Sequence, residues 1–159
     1  MSDKVSNVVP ARLGLEAQQA ELADRIARYV PGDGLHETAI PGLSLIRASA
    51  PSQPLPTVYH AGLCVVVQGR KRALLGDEVY HYDPLNYLVV SMTLPMTGQI
   101  IEASAEQPYL CLRIDIEPAL IGELLEQTGS SATARPSQER ALYVARTEAP
   151  LLDAVLRLV

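Results

Sequence analysis

The stretch LCVVVQGRKRALLGDEVYHYDPLNYLVVS, Leu63 to Ser91, decides the architecture. It opens on Leu63–Val67, an unbroken apolar run rich in β-branched residues, the pattern of a strand buried on both faces. Gln68-Gly69-Arg70-Lys71 then reads as a turn into Arg72–Leu75, a hairpin whose basic tip sits in solvent. Gly76-Asp77 turns the chain again before Glu78–Tyr82. Asp83-Pro84-Leu85-Asn86 supplies a third turn, from residues that favour turns for backbone reasons, and Tyr87–Ser91 follows. So many short strands in so little chain leave no room for a helix.

Further along, Thr97–Ala103 and Tyr109–Ile116 read as two more strands after a break at Pro95. In the second, Leu110, Leu112, Ile114 and Ile116 alternate with Tyr109, Cys111, Arg113 and Asp115, so one face is aliphatic and the other mixed. Upstream, His36–Ile40 and Leu43–Ala48 are short strands parted by Pro41-Gly42. The segment 49–57 carries Pro51, Pro54 and Pro56, which lack backbone donors, and reads as an extended surface connection. Leu142–Ala145 adds a last short strand.

Helical spacing is found on both sides of the strands. From Ala11 to Tyr29, the residues Ala11, Leu15, Gln18, Leu22, Ile26 and Tyr29 share one stripe, which Pro31-Gly32-Asp33-Gly34 stops. Pro118, Leu120, Ile121, Leu124, Leu125 and Gly129 describe a second helix, followed by a polar loop, Ser130–Arg140. A third runs from Pro150 to Val159, amphipathic through Leu151, Leu152, Val155 and Leu158. The class is therefore α+β, mainly β: a small closed barrel or double-sheet jelly roll flanked by N-terminal and C-terminal helices. The domain plan is a flexible 1–12, a body 13–147 with a helix over 13–30, and 148–159 as the start of an onward helix. Because that last stripe ends apolar and uncapped, the chain is expected to continue past Val159.

Composition narrows the function. With 159 residues, 48% hydrophobic, the chain suits one domain with a real core. Phe and Trp are absent, so Leu, Val, Ile and Ala must fill that core, alongside seven tyrosines. Thirteen basic against eighteen acidic residues give a net charge of −5, which argues against this chain gripping nucleic acid. No apolar run approaches the roughly 20 residues of a membrane span, and the N-terminus lacks a secretory apolar core. Cys64 and Cys111, each inside an apolar run, read as reduced buried thiols, and the expected compartment is the cytoplasm.

His36, His60 and His81 are scattered and offer no metal-ligand spacing, so no metal and no cofactor is expected. There is no G-x-S-x-G elbow, no P-loop and no G-x-G-x-x-G, and neither cysteine carries an activating motif. An enzyme is not expected. A small-molecule pocket needs only a few convergent polar groups, and Arg113, Tyr109 and Cys111 on one strand with Tyr80 and Tyr82 on another are the candidates. The alternative is that this mixed face turns to solvent, and the sequence leaves both readings open.

The segment from Leu63 to Leu125 resembles the N-terminal domain of one branch of AraC/XylS-type bacterial transcriptional regulators. The matching features run in order: Val67-Gln68-Gly69-Arg70-Lys71, Gly76-Asp77, Tyr82-Asp83-Pro84, Tyr87-Leu88-Val89, Leu94-Pro95, Ala103-Ser104, Pro108-Tyr109-Leu110 and Leu120–Leu125. The resemblance extends over most of the chain from about Leu35. It implies a metal-free, cupin-like β-barrel that senses an unknown small-molecule effector and dimerises, with DNA read by a separate C-terminal helix-turn-helix domain. A homodimer is then expected through Leu15, Leu22 and Ile26 of the first helix and Leu151, Leu152, Val155 and Leu158 of the last. The alternatives are a metal-dependent cupin enzyme, an isomerase or dioxygenase, and a dimerisation module without a ligand.

Overall fold

The computed structural model describes residues 8–117 and 141–159, with 119 and 123. The expected flexible start lies partly outside these residues, and the helix and loop expected over 118–140 lie almost wholly outside them. In chain order the elements are α1 (Val8–Tyr29), β1 (Gly34–Glu37), β2 (Leu43–Ala48), β3 (Leu55–Tyr59), β4 (Gly62–Gln68), β5 (Arg70–Leu75), β6 (Glu78–Tyr82), β7 (Asn86–Val90), β8 (Leu94–Glu102), β9 (Tyr109–Asp115), β10 (Leu142–Arg146) and α2 (Ala149–Leu158). Helix α1 begins inside the stretch expected to be flexible. Pro10 stands in its first turn, where a missing N–H breaks no helical bond.

The strands form two antiparallel sheets, ordered β1-β2-β9-β4-β7-β10 and β3-β8-β5-β6. No ladder among the described residues joins one sheet to the other, so the barrel is not closed by hydrogen bonds. The large sheet is apolar on both faces. One face meets Leu22, Ile26 and Val30 of α1 and Leu152 and Val155 of α2 through Leu43, Leu45, Val65, Val67, Leu110 and Leu112. The other face sets Cys64, Val66, Leu88, Val90, Tyr109 and Cys111 against Tyr59, Ala73, Tyr82 and Met96 of the small sheet. Both surfaces of β4 and β9 are thus removed from water, which is why Leu63–Val67 has no polar alternation. Arg25 ties the helices together, its Nη1 donating to the Leu156 carbonyl at 2.7 Å.

Three expectations are corrected. The Gln68–Lys71 turn does not make a hairpin: β4 pairs with β7 and β9, and β5 pairs with β6 and β8. Gly69 is instead the corner at which the chain passes from the large sheet to the small one. Its φ of +85° is left-handed, and a Cβ there would lie 2.5 Å from the Glu102 carbonyl oxygen. Only glycine fits both demands.

The proline-rich connection ends in a strand, β3. It lies at the edge of the small sheet, so Pro56 removes no ladder bond that a second neighbour would need. The break expected at Pro95 is likewise absent. Pro95 pairs with Val58 of β3, while the β5 ladder on the other flank is already finished at Leu74–Thr97, so the ring meets no second partner.

Candidate functional site

The mixed face of β9 points inward, between the sheets. Tyr109 is 0% exposed and Cys111 1%, and the strand partners of Cys111 and Arg113 on β4 are Val66 and Cys64. The large sheet therefore presents Tyr109, Cys111, Cys64 and the half-buried Arg113 to the interior, with buried Ser44 of β2 paired opposite Arg113. From the small sheet come Tyr82, buried on β6, and Tyr59, buried at the end of β3. Their hydroxyls face each other at 3.4 Å. Tyr80 packs beside them with its ring, and its hydroxyl donates to the Glu78 carboxylate.

Lys71 is the residue that sequence reasoning missed. On β5 it alternates with Arg70 and Arg72, and the pleat turns it to the side of buried Ala73. Its Nζ stands 5.4 Å from the centre of the Tyr59 ring. Gly98 of β8 makes this possible: a Cβ there would lie 2.4 Å from the Tyr59 hydroxyl and 3.1 Å from Lys71 Cε. The two neighbours face out. Arg70 Nε lies 3.9 Å from Glu102, and Arg72 donates to Gln99 Oε1 from Nε at 2.9 Å and from Nη2 at 2.6 Å. The basic triplet is therefore not a solvated tip, a correction that follows from the sheet crossing at Gly69. A strand starting at Arg70, read with period two, is the signal that would have found Lys71.

The interior is polar but protonated. Burial pushes the Cys64 thiol up to about 12, with the adjacent Cys111 thiol adding to the shift. Burial likewise raises Cys111. The phenols of Tyr82 and Tyr109 are held well above their ordinary value by burial, and next by the influence of Tyr109 on the former and of Cys111 on the latter. Such thiols are poor nucleophiles, whereas neutral phenols remain hydrogen-bond donors and acceptors. Two buried polar atoms of this interior make no well-formed hydrogen bond among the described residues, the Tyr109 hydroxyl and Arg113 Nε. The Cys111 thiol interacts with the first, and the Asp115 carboxylate lies 3.6 Å from the second.

His36 bonds the Gly32 carbonyl at 2.9 Å, while His60 and His81 are exposed. Among the described residues no three His, Cys, Asp or Glu side chains gather as metal ligands, and no helix is long and apolar enough to cross a membrane. Of the residues expected to pair two chains, Leu22, Ile26, Leu152 and Val155 are buried within this one chain, and Leu15 and Leu151 are half-buried beside them. Leu158 stays 44% exposed. It edges an apolar groove of about 120 Å³ with Tyr29, Ile40 and Val159.

A family model described as AraC-type transcriptional regulator N-terminus matches residues 39–159. Neither a curated protein nor a solved structure matches the chain.

Proposed function

This chain belongs to the family of AraC-type transcriptional regulator N-terminal domains, and from that premise we propose that it is the part of a cytoplasmic regulator that senses a small effector and forms a homodimer. In this reading the two sheets act as a cupin-like cup, and DNA is read by a separate domain rather than by this acidic chain. The observation that carries the proposal is the set of polar groups between the sheets, above all the Tyr109 hydroxyl, which is fully buried with the Cys111 thiol beside it and no well-formed hydrogen bond among the described residues. A thiol is a weak hydrogen-bond partner, and a buried hydroxyl short of a full bond costs up to about 1–3 kcal/mol. A ligand that supplies a stronger partner recovers part of it.

The same strand offers a route from ligand to helices. Tyr109 and Cys111 of β9 line the interior, while Leu110 and Leu112 of β9 pack under α1 and α2. A ligand that prefers one position of β9 shifts the helices with it, by no more than its difference in affinity for the two states. The dimer contact passes to what the helices leave exposed around Leu158.

Thermal unfolding against a panel of neutral and charged metabolites tests the sensing role, with every compound that raises Tm repeated on Tyr109→Phe and Arg113→Gln. Shifts that shrink in these variants support the site; shifts that persist unchanged in both place the ligand elsewhere. Sedimentation of the parent and of Leu158→Asp tests the pairing: a parent that is monomeric at high concentration removes the homodimer.

A further inference from the structure

We infer that the outer face of the small sheet is a docking surface for an acidic amphipathic helix of a partner protein. The strand registers set the outward side chains in rows. Pro56 of β3, Thr97 of β8, Leu74 of β5 and Val79 of β6 stand side by side across all four strands, and Val58 pairs with Pro95 one step along. The residues of opposite parity, Met96, Ala73 and Tyr82 among them, are the ones that fill the core. A sheet face turned to water ordinarily carries polar side chains, yet Val58 is 51% exposed and Val79 47%. Helices α1 and α2 cover the corresponding face of the large sheet. An apolar row rimmed by polar groups and left open in this way marks an interaction surface.

The next row gives the partner its sign. Arg72 stands between Gln99 and His81, and its Nε and Nη2 both donate to Gln99 Oε1. That acceptor is neutral, and no carboxylate of the described residues lies within ion-pair distance of Arg72. Glu78 of β6 has the other parity and accepts from the Tyr80 hydroxyl. The face therefore runs from an apolar end to a cationic one, on a chain whose net charge is −5. Complementarity asks for apolar side chains with carboxylates beside them. Four strands about 4.8 Å apart span roughly 14 Å, the width of one helix of about 10–12 Å. A second copy presenting this same face brings no acid to meet Arg72. A lipid surface is bound by Trp, Phe and several cations together. This chain has neither Phe nor Trp, and the face offers Arg72 and a histidine.

Fluorescence anisotropy of the whole chain with a labelled peptide tests the inference, separately from any effector. The probe is an amphipathic helix of about 18 residues, Leu on one stripe and Glu along its flanks; its twin carries Lys for Glu. The Glu peptide is expected to bind with a Kd of ~100 μM, as a small transient interface does, and the Lys twin at least tenfold more weakly. Val79→Asp and Arg72→Gln should each weaken the Glu peptide at least threefold, while Leu85→Asp, at an exposed turn elsewhere, should leave it unchanged. Equal binding of the two peptides overturns the acidic class. Equal loss in Leu85→Asp, or no loss in the other two variants, overturns the face. No binding of either peptide up to millimolar concentration overturns the inference as a whole. Sedimentation of the chain alone and with vesicles of anionic phospholipid completes the test: self-association or vesicle binding that Val79→Asp abolishes gives the face to a second copy or to a membrane instead.

Discussion

Tyr109 and Leu110 are consecutive on β9 and both are buried, one against the polar interior between the sheets and the other beneath the helices. A strand with no solvent face has no tolerance for truncation on either side. Leu110→Ala is expected to cost 2–5 kcal/mol, roughly the value for emptying a packed leucine site. Because Leu110 and Leu22 share one core, the double variant Leu22→Ala/Leu110→Ala should depart from additivity by about 0.5 kcal/mol or more in urea unfolding. Strict additivity would mean that α1 does not pack on β9.

The interior groups make the fold alkali-sensitive. The unfolded chain releases the Cys64 proton near 9.0, whereas the folded chain keeps it to about 12. A raised folded pKa stabilises fully below the unfolded value and is lost as pH climbs through the folded one. Stability should therefore be level up to pH 9 and then fall by about 1.4 kcal/mol per pH unit for each such thiol. Tyr82 and Tyr109 steepen the loss above their unfolded value of 10.0. Urea midpoints between pH 8 and 11 check this, and Cys64→Ala should flatten the first part of the decline. A midpoint constant across that range would contradict the burial of these groups.

The weakly held hydroxyl predicts a contrast between two phenylalanine variants. Tyr109→Phe removes a buried oxygen whose neighbour is only a thiol, so stability without ligand should hold or rise, by up to about 1 kcal/mol. Tyr82→Phe breaks the 3.4 Å contact with the Tyr59 hydroxyl and should lose a few tenths of a kcal/mol to about 1. Chemical denaturation of both variants decides it. A marked loss in Tyr109→Phe would show that the bond to the Cys111 thiol is a strong one.

Gly69→Ala should destabilise by about 2–4 kcal/mol, since it combines a left-handed backbone with a clash at a carbonyl. The position also explains what was legible in the sequence and what was not. Local patterning located most strands, because alternation and turn residues act over a few positions. The period of β9 separated its two faces correctly. It did not say which cover each face would receive, since helices and a second sheet both hide apolar surface. Gly69 offered no local clue that separates a hairpin from a corner between sheets, because glycine at positive φ serves both. The misreading of Lys71 as solvated followed from that one ambiguity. Pro56 and Pro95 misled for the same kind of reason: each is compatible with a strand only where one flank is free, and a flank is a property of the whole sheet.

Gly98→Ala separates positioning from folding. Gly98 has no unusual backbone, so alanine is conformationally acceptable there and even reduces the entropy of the unfolded chain. The added methyl instead meets the Tyr59 hydroxyl and Lys71 Cε, both far ends of side chains, which have to swing away. The stability change should stay within about 1 kcal/mol, while Lys71 leaves the Tyr59 ring. Any compound whose rise in the parent's Tm shrinks in Tyr109→Phe should then bind at least tenfold more weakly, a loss of about 1.4 kcal/mol. Calorimetric titration measures this directly. Unchanged affinity in a variant that folds normally would show that the place of Lys71 over Tyr59 is irrelevant to binding. A variant that fails to fold would instead show that the bare backbone at Gly98 serves packing alone.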